Sequence, residues 1–238
     1  MTTGPKGPLD FEILKMGCVV KRKLPSPNSV VKVGDGRGFV VSDSVRVDPI
    51  FSGRKRAIFM ERRLVLTAAH CLPQLPPAHA GAYEADRTYP RLIRTLDGRI
   101  KDVWAECLFA NPVADIAVLG CPDTQDLGDE AAAYDELTES VPSVRIGKAR
   151  SGPGWILSLD SRWTSTPLNV SSGLYGTSLS IGPTNAGMSG SPILNDGGRA
   201  VGIVVVGTEV GGRPRKLNGP QPILMRDLPC WLVDSLAR

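Results

Sequence analysis

The sequence predicts an all-β protein built in two halves. Glycine and proline, 26 and 20 of the 238 residues, are scattered and do not collect in low-complexity tracts, so many turns must join many short elements. Short apolar, β-branched runs recur between those turns. Around residues 122–140 the composition shifts to Asp, Glu, Ala and Gly with little β-branching, which separates two groups of runs of comparable size. Strand, turn and strand at short intervals in both groups point to two antiparallel barrels or sandwiches.

Residues 1–27 read as an N-terminal extension that opens on a polar, Gly/Pro-rich stretch, Met1 to Asp10. Its first ten residues have no apolar core of signal-peptide length, from which a cytoplasmic location is expected. Residues 30–33 and 38–41 read as the arms of a hairpin hinged at Gly34-Asp35-Gly36. The G-x-G-x-G there is not a dinucleotide fingerprint, because "FVVSDSVRV" continues in β-branched residues where such a fingerprint needs a helix. Runs at 57–60 and 63–67 follow, the second leading into Ala68-Ala69-His70-Cys71. Pro73, Pro76 and Pro77 then end any regular element, which leaves His70 at a strand end or in one short turn after it. Runs at 92–93, 103–109 and 116–119 complete the first half, 28–121, and residues 122–141 read as a linker.

In the second half, 142–226, the candidate strands are 143–147, 155–159, 174–181, 191–194, 200–206 and 222–224. Residues 227–238 read as a short C-terminal helix. Asp227 is placed as its cap, Pro229 in its first turn, and Trp231, Leu232 and Leu236 recur at about helical spacing, so the helix is expected to pack on the second half.

Charge and cysteine usage narrow the function. A net charge of +4 with acids and bases interspersed does not imply nucleic-acid binding. The basic clusters at 21–23, 54–56 and 213–216 lack interleaved aromatics and lie in turn-rich contexts. No apolar stretch of the sequence approaches the roughly 18 residues of a membrane span. Five cysteines, Cys18, Cys71, Cys107, Cys121 and Cys230, are an odd number at irregular spacings, which fits a reducing compartment better than a disulfide framework. His70, Cys71 and His79 lack the paired spacing of a zinc site, so neither a metal nor a cofactor is expected.

One stretch, "NAGMSGSPI", raises the chemical question of whether Ser189 is a nucleophile or a small turn residue. Alone it cannot decide, since Gly and Ser are ordinary turn residues. Serine hydrolysis also needs an imidazole base and a carboxylate that fixes its tautomer. Of only two histidines, His79 lies among Pro, Ala and Gly, whereas His70 follows "RLVLTAA". Asp115 opens the apolar run "DIAVL", where packing explains an acid poorly and a buried partner would explain it. Gly187 permits a turn that aims its N–H, with that of Ser189, at one oxygen site.

"LTAAHC", "DIAVL" and "GMSGSP", in that order, resemble the trypsin-like (chymotrypsin-fold) serine peptidases over roughly residues 28 to 235. The resemblance implies two six-stranded antiparallel Greek-key barrels with the site in the cleft between them. It implies His70 as general base, Asp115 as its orienting carboxylate, Ser189 as nucleophile, and Gly187 and Ser189 as oxyanion donors. It aligns "GIVVVG" with the family's pocket-wall strand, so that Val205, Val206 and Gly207 would line the primary pocket and bind substrate backbone as an added strand, with Pro183 and Thr184 near the floor. The implied substrate is a protein or peptide.

Departures from the family pattern carry their own expectations. Met188 stands where secreted trypsins carry the aspartate that pairs with a newly cut N-terminal amine, and there is no Ile-Val-Gly-Gly start, so activity is expected not to require N-terminal cleavage. Cys71 lacks its usual partner and is expected to be a buried thiol. Val205 replaces a serine that often bonds the triad carboxylate, so the amides near Ala69 and His70 must orient Asp115. Pro183 at the pocket floor gives a cation no paired anion, which favours small or apolar side chains there. Control is expected from a regulatory partner, from narrow substrate choice or from ordering of the 208–219 loop. The alternative is a catalytically silent protein-binding module of the same fold.

Overall fold

A computed structural model describes residues 24–47, 58–76, 86–173, 176–205 and 221–236. The expectations for Cys18, His79, Val206, Gly207 and the 208–219 loop lie outside these residues. The architecture is mostly β, a closed barrel followed by a second, curled sheet.

The first half holds β1 (Val30–Val33), β2 (Gly36–Val47), β3 (Ile58–Thr67), β4 (Thr88–Thr95), β5 (Val103–Asn111) and β6 (Ile116–Gly120). Their order around the barrel is β1-β2-β3-β6-β5-β4, closed by β1 against β4, so β3 pairs with β6 and the chain crosses over to reach β4. The runs at 57–60 and 63–67 are one strand, because β3 pairs with β2 continuously from Thr67↔Gly38 to Ile58↔Val47. Val31, Val33, Phe39, Leu64, Leu66, Ile93 and Leu119 fill the interior, each fully buried.

The stretch read as a linker contains a helix, α1 (Gly128–Ser140). Ala131, Tyr134, Leu137 and Thr138 form its buried stripe at helical spacing. The Tyr134 hydroxyl lies 3.2 Å from both the Leu119 and Arg63 carbonyls. Arg63 returns its guanidinium to the carbonyls of Thr138 (3.0 Å) and Val141 (3.3 Å), supplying donors and positive charge where a helix C-terminus lacks them.

The second half is a five-stranded sheet in the order β11-β10-β7-β8-β9. Its strands are β7 (Gly152–Leu157), β8 (Trp163–Gly173), β9 (Gly176–Ser180), β10 (Pro192–Asn195) and β11 (Ala200–Ile203). Among the described residues the sixth position is taken by segment 221–223, which bridges both edges: Gln221 pairs with Leu179 of β9, and Ile223 with Gly202 of β11. The run at 143–147 is reduced to one bridge, Ile146↔Ala200. Strand β8 has no counterpart among the sequence-based candidates, because "WTSTPLNVSSG" is mostly polar and, among its residues of described burial, buries only Thr166 and Leu168. Ile156, Leu168, Leu179, Met188, Ile193, Val201 and Val204 build the second core.

The C-terminus differs from its expected form in two respects. Asp227 ends a separate short helix, α2 (Leu224–Asp227), and its carboxylate accepts the Ile223 N–H at 2.7 Å, so it caps α2 and not the final helix. The final helix, α3 (Cys230–Leu236), packs on β2 of the first barrel and not on the second half. Leu232 is buried in the first core, and the Arg62 guanidinium stacks 5.2 Å from the Trp231 ring centroid while pairing with buried Asp43 at 2.6 Å. Among the described residues no helix is long and apolar enough to cross a membrane.

Candidate active site

His70 sits in a single 3₁₀ turn, Ala69–Cys71, directly after β3, where the following prolines stop the chain from extending the strand. Asp115 immediately precedes β6, the neighbour of β3, so the sheet itself brings the two residues together across 45 positions of sequence. The carboxylate grips the histidine twice: Oδ2 lies 2.7 Å from Nδ1, and Oδ1 accepts the His70 backbone N–H at 2.9 Å. The Ala69 N–H donates to the backbone carbonyl of Asp115 at 3.2 Å. Asp115 adopts φ 55°, in the left-handed region that Asp and Asn tolerate best among side-chain-bearing residues.

The Asp115 carboxylate pushes the His70 imidazole up to about 10, and the adjacent Cys71 thiol acts in the same direction. Partial burial opposes this shift and is outweighed, which agrees with a side chain that keeps 42% of its surface exposed. Cys71 is a buried free thiol, and Cys107, Cys121 and Cys230 are also free.

Ser189 is the second residue of the latter of two consecutive turns, closed by Met188 N–H to Asn185 O (3.1 Å) and Ser191 N–H to Met188 O (3.0 Å). Each turn carries a glycine at its third position, Gly187 with φ 83° and Gly190 with φ 81°, as a type II turn requires. The amides of Gly187 and Ser189 find no acceptor among the described residues. Met188 is 2% exposed and anchors the double turn in the second core.

Two glycines let the serine turn lie against the barrel. A Cβ on Gly36 would stand 2.3 Å from Cys71 Sγ and 2.8 Å from Ser189 O, which places Ser189 beside the His70–Cys71 turn. A Cβ on Gly190 would fall 1.8 Å from Arg37 O and 2.7 Å from Thr67 Oγ1. Arg37 N–H donates to Ser189 O at 2.7 Å, and Thr67 Oγ1 donates to Arg37 O at 2.6 Å. Among the described residues no hydrogen bond joins Ser189 Oγ to His70. We expect Gly190→Ala to lower stability by about 3 kcal/mol or more, from backbone overlap and a disfavoured φ together. Urea denaturation checks this, and a loss below about 1 kcal/mol would contradict it.

Of the expected pocket residues, Pro183, Thr184 and Val205 are among the described ones. Pro183 is exposed, whereas Thr184 is buried with no partner for its hydroxyl among the described residues. Val205 is half-buried, and its N–H is held by Gln221 Oε1 at 2.6 Å while Gln221 Nε2 faces its carbonyl at 3.4 Å. Surface clefts of about 200 and 400 Å³ lie elsewhere, one beside Asn28, Asp97 and Val141, the other beside Pro153 and Pro167.

Sequence reasoning missed Gln221 and Arg37. Arg37 is 1% exposed and pairs with no carboxylate among the described residues; its guanidinium donates to the carbonyls of Leu157 (2.9 Å), Ser158 (3.0 Å) and Leu159 (3.3 Å), tying β2 to the end of β7. A charged residue between two glycines in an otherwise apolar run is the only trace of this role in the sequence.

No curated protein matches the sequence significantly. Among solved structures, the chain is similar to the serine endoprotease from Yersinia pestis, with 16% identity, TM-score 0.46, and coverage of 85% of this chain and 61% of that one. It is similar to the HtrA-type protease AlgW with decapeptide, with 16% identity, TM-score 0.43, and coverage of 83% and 62%. A human pathogenic astrovirus serine protease shows 15% identity, TM-score 0.45, and coverage of 84% and 91%. This chain spans less than two thirds of the length of the first two. The family model for the trypsin-like peptidase domain matches residues 36–203, from the start of β2 to the end of β11, and the chain belongs to that family.

Proposed function

We propose that the protein is a serine endopeptidase that hydrolyses peptide bonds of polypeptide substrates through an acyl-enzyme on Ser189. The observation that carries this reading is the double grip of Asp115 on His70. With Nδ1–H directed at Oδ2, the imidazole keeps its Nε2 lone pair to accept a proton, the tautomer a general base requires. Ser189 Oγ attacks the scissile carbonyl as His70 takes its proton, and Asp115 offsets the charge of the imidazolium. The Gly187 and Ser189 amides, without an acceptor among the described residues, are the candidate donors to the oxyanion. His70 then returns the proton to the leaving amine, and water repeats the sequence to free the serine.

Val205, with Val206 and Gly207, is the proposed edge for the acyl part of the substrate, and Pro183 and Thr184 border a pocket for small or apolar side chains. A cytoplasmic location, and control by a partner or by the 208–219 loop without N-terminal cleavage, complete the proposal. Met188 supports the last point, because a buried thioether has no charge to pair with a freed amine.

Labelling by a fluorophosphonate probe tests the function directly. The expected result is a single adduct on Ser189, lost in Ser189→Ala. A folded protein that takes no label would instead favour a silent peptide-binding module.

The raised pKa of His70 adds a pH prediction. Since only the neutral imidazole can act as base, kcat/KM is expected to climb through the alkaline range, with its acid limb centred above the ordinary 6.5. A pH–rate profile with that limb at or below 6.5 would contradict the assignment.

A further inference from the structure

Three cations stand in one row across β2, β1 and β4. Lys32 is the register partner of Arg37 on one side and of Arg94 on the other. Residues directly opposite in antiparallel strands share a face, and like charges so placed repel one another. The repulsion is visible in Lys32, whose pKa is lowered first by burial and then by Arg37 and Arg94. Neither Lys32 nor Arg94 has an ion-pair partner among the described residues. Arg37 spends its guanidinium on three carbonyls, yet its buried Nε–H has no partner among the described residues. Among the described acids, Asp97 pairs with Arg99 at 2.7 Å and Asp160 with Arg162 at 3.3 Å, Asp35 is exposed at the hairpin tip, and Asp102 is exposed one position before the β4–β5 register pair Ile93↔Val103.

The row lies beside the candidate site. Arg37 N–H is bonded to Ser189 O, and the Lys32 backbone is one cross-strand step further, about 10 Å from Ser189 at the usual Cα spacing. The face is turned toward the Gly187 side of the serine turn, because Arg37 points to residues 157–159 and Leu159 Cδ2 lies 3.7 Å from where a Gly187 Cβ would stand. Val204, next to the proposed acyl edge, is bonded instead to Gly190 and Ser191, on the other side of Ser189. A substrate running from that edge past Ser189 would leave along the cation row. At about 3.3 Å per extended residue, its second or third residue after the scissile bond would reach Lys32.

We propose that Lys32 and Arg94, backed by Arg37, form a substrate subsite for an acidic side chain two or three residues after the scissile bond. The inference rests on the peptidase reading above and specifies its substrate class. Cations without an acidic partner on a strand face attract a carboxylate of matching position, and the attraction is screened by salt.

The test compares peptide substrates that differ only in Glu or Gln at each of the three positions after the scissile bond. The wild type is expected to prefer Glu at the second or third by about fivefold in kcat/KM at low salt, falling to about twofold or less near 0.5 M salt. Lys32→Gln with Arg94→Gln is expected to abolish the preference, with Ser189 still labelled by the fluorophosphonate and thermal stability kept. Equal cleavage of Glu and Gln peptides, or a preference that survives in the double variant, would overturn the subsite while leaving the peptidase reading intact.

A second measurement does not depend on cleavage. Fluorescently tagged six-residue Glu and Gln peptides are titrated against the full-length Ser189→Ala protein, with and without the Lys32 and Arg94 substitutions. Tighter binding of the Glu peptide that these substitutions remove supports the site; no difference refutes it. Loss of the peptidase reading would appear separately, as absent labelling of Ser189 in the wild type.

Discussion

Ser189→Ala is expected to lower peptide turnover by about 10⁶-fold, the scale seen when a triad nucleophile is removed. The magnitude follows from the chemistry assigned to the oxygen: without it no acyl-enzyme can form, and His70 has no hydroxyl proton to take. The Gly187 and Ser189 amides would remain, so a residual rate of about 10³- to 10⁴-fold over water is expected to survive from oxyanion stabilisation and binding. The fold is expected to be unaffected. The backbone of residue 189 is held by Arg37 N–H and by the two glycine turns, none of which uses the hydroxyl. Turnover of a fluorogenic peptide and a melting curve check both parts. More than a few per cent of wild-type activity in the variant would place the nucleophile elsewhere.

Asp115→Asn is expected to cost about 10⁴-fold in kcat with little loss of stability. Asparagine suits the φ of 55° at this position, so the backbone tolerates the change. The carboxamide, however, has one oxygen where the carboxylate has two. The His70 backbone N–H at 2.9 Å claims that oxygen, which leaves the NH₂ group facing Nδ1. An NH₂ donor there requires Nδ1 to be the acceptor, and the ring proton moves to Nε2, where it blocks acceptance from serine. The loss of negative charge also removes the main cause of the raised histidine pKa. Steady-state kinetics together with ¹⁵N shifts of the imidazole report rate and tautomer. A variant within tenfold of wild type, or one that keeps the Nδ1–H form, would contradict this role.

The structure also shows which parts of the chain were open to sequence reading. The β1–β2 hairpin was legible because its turn residues, Gly34-Asp35-Gly36, stand between apolar β-branched runs. Strand β8 was not, because a strand with most of its side chains in water has the composition of a loop. Helix α1 hid behind the same ambiguity: Asp, Glu, Ala and Gly serve equally in connectors, and its apolar stripe is thin. Helical spacing predicts α3 but not the element it packs on, since spacing says which residues are buried and not what buries them. The neighbours of α3, namely β2 and the Arg62 guanidinium that stacks on Trp231, lie far away in sequence.

Local quantities were legible along the chain: the strand-rich composition, the turn glycine at 187, and three short motifs whose family resemblance named His70, Asp115 and Ser189. These depend on neighbours along the chain, and neighbours along the chain are what a sequence records. The pairing of β3 with β6, which brings Asp115 to His70, emerges only in three dimensions. So do the crossing of Arg37 to the 157–159 carbonyls and its place in a row with Lys32 and Arg94. Those arrangements follow from strand register and close backbone approach, which are set by packing between residues tens of positions apart.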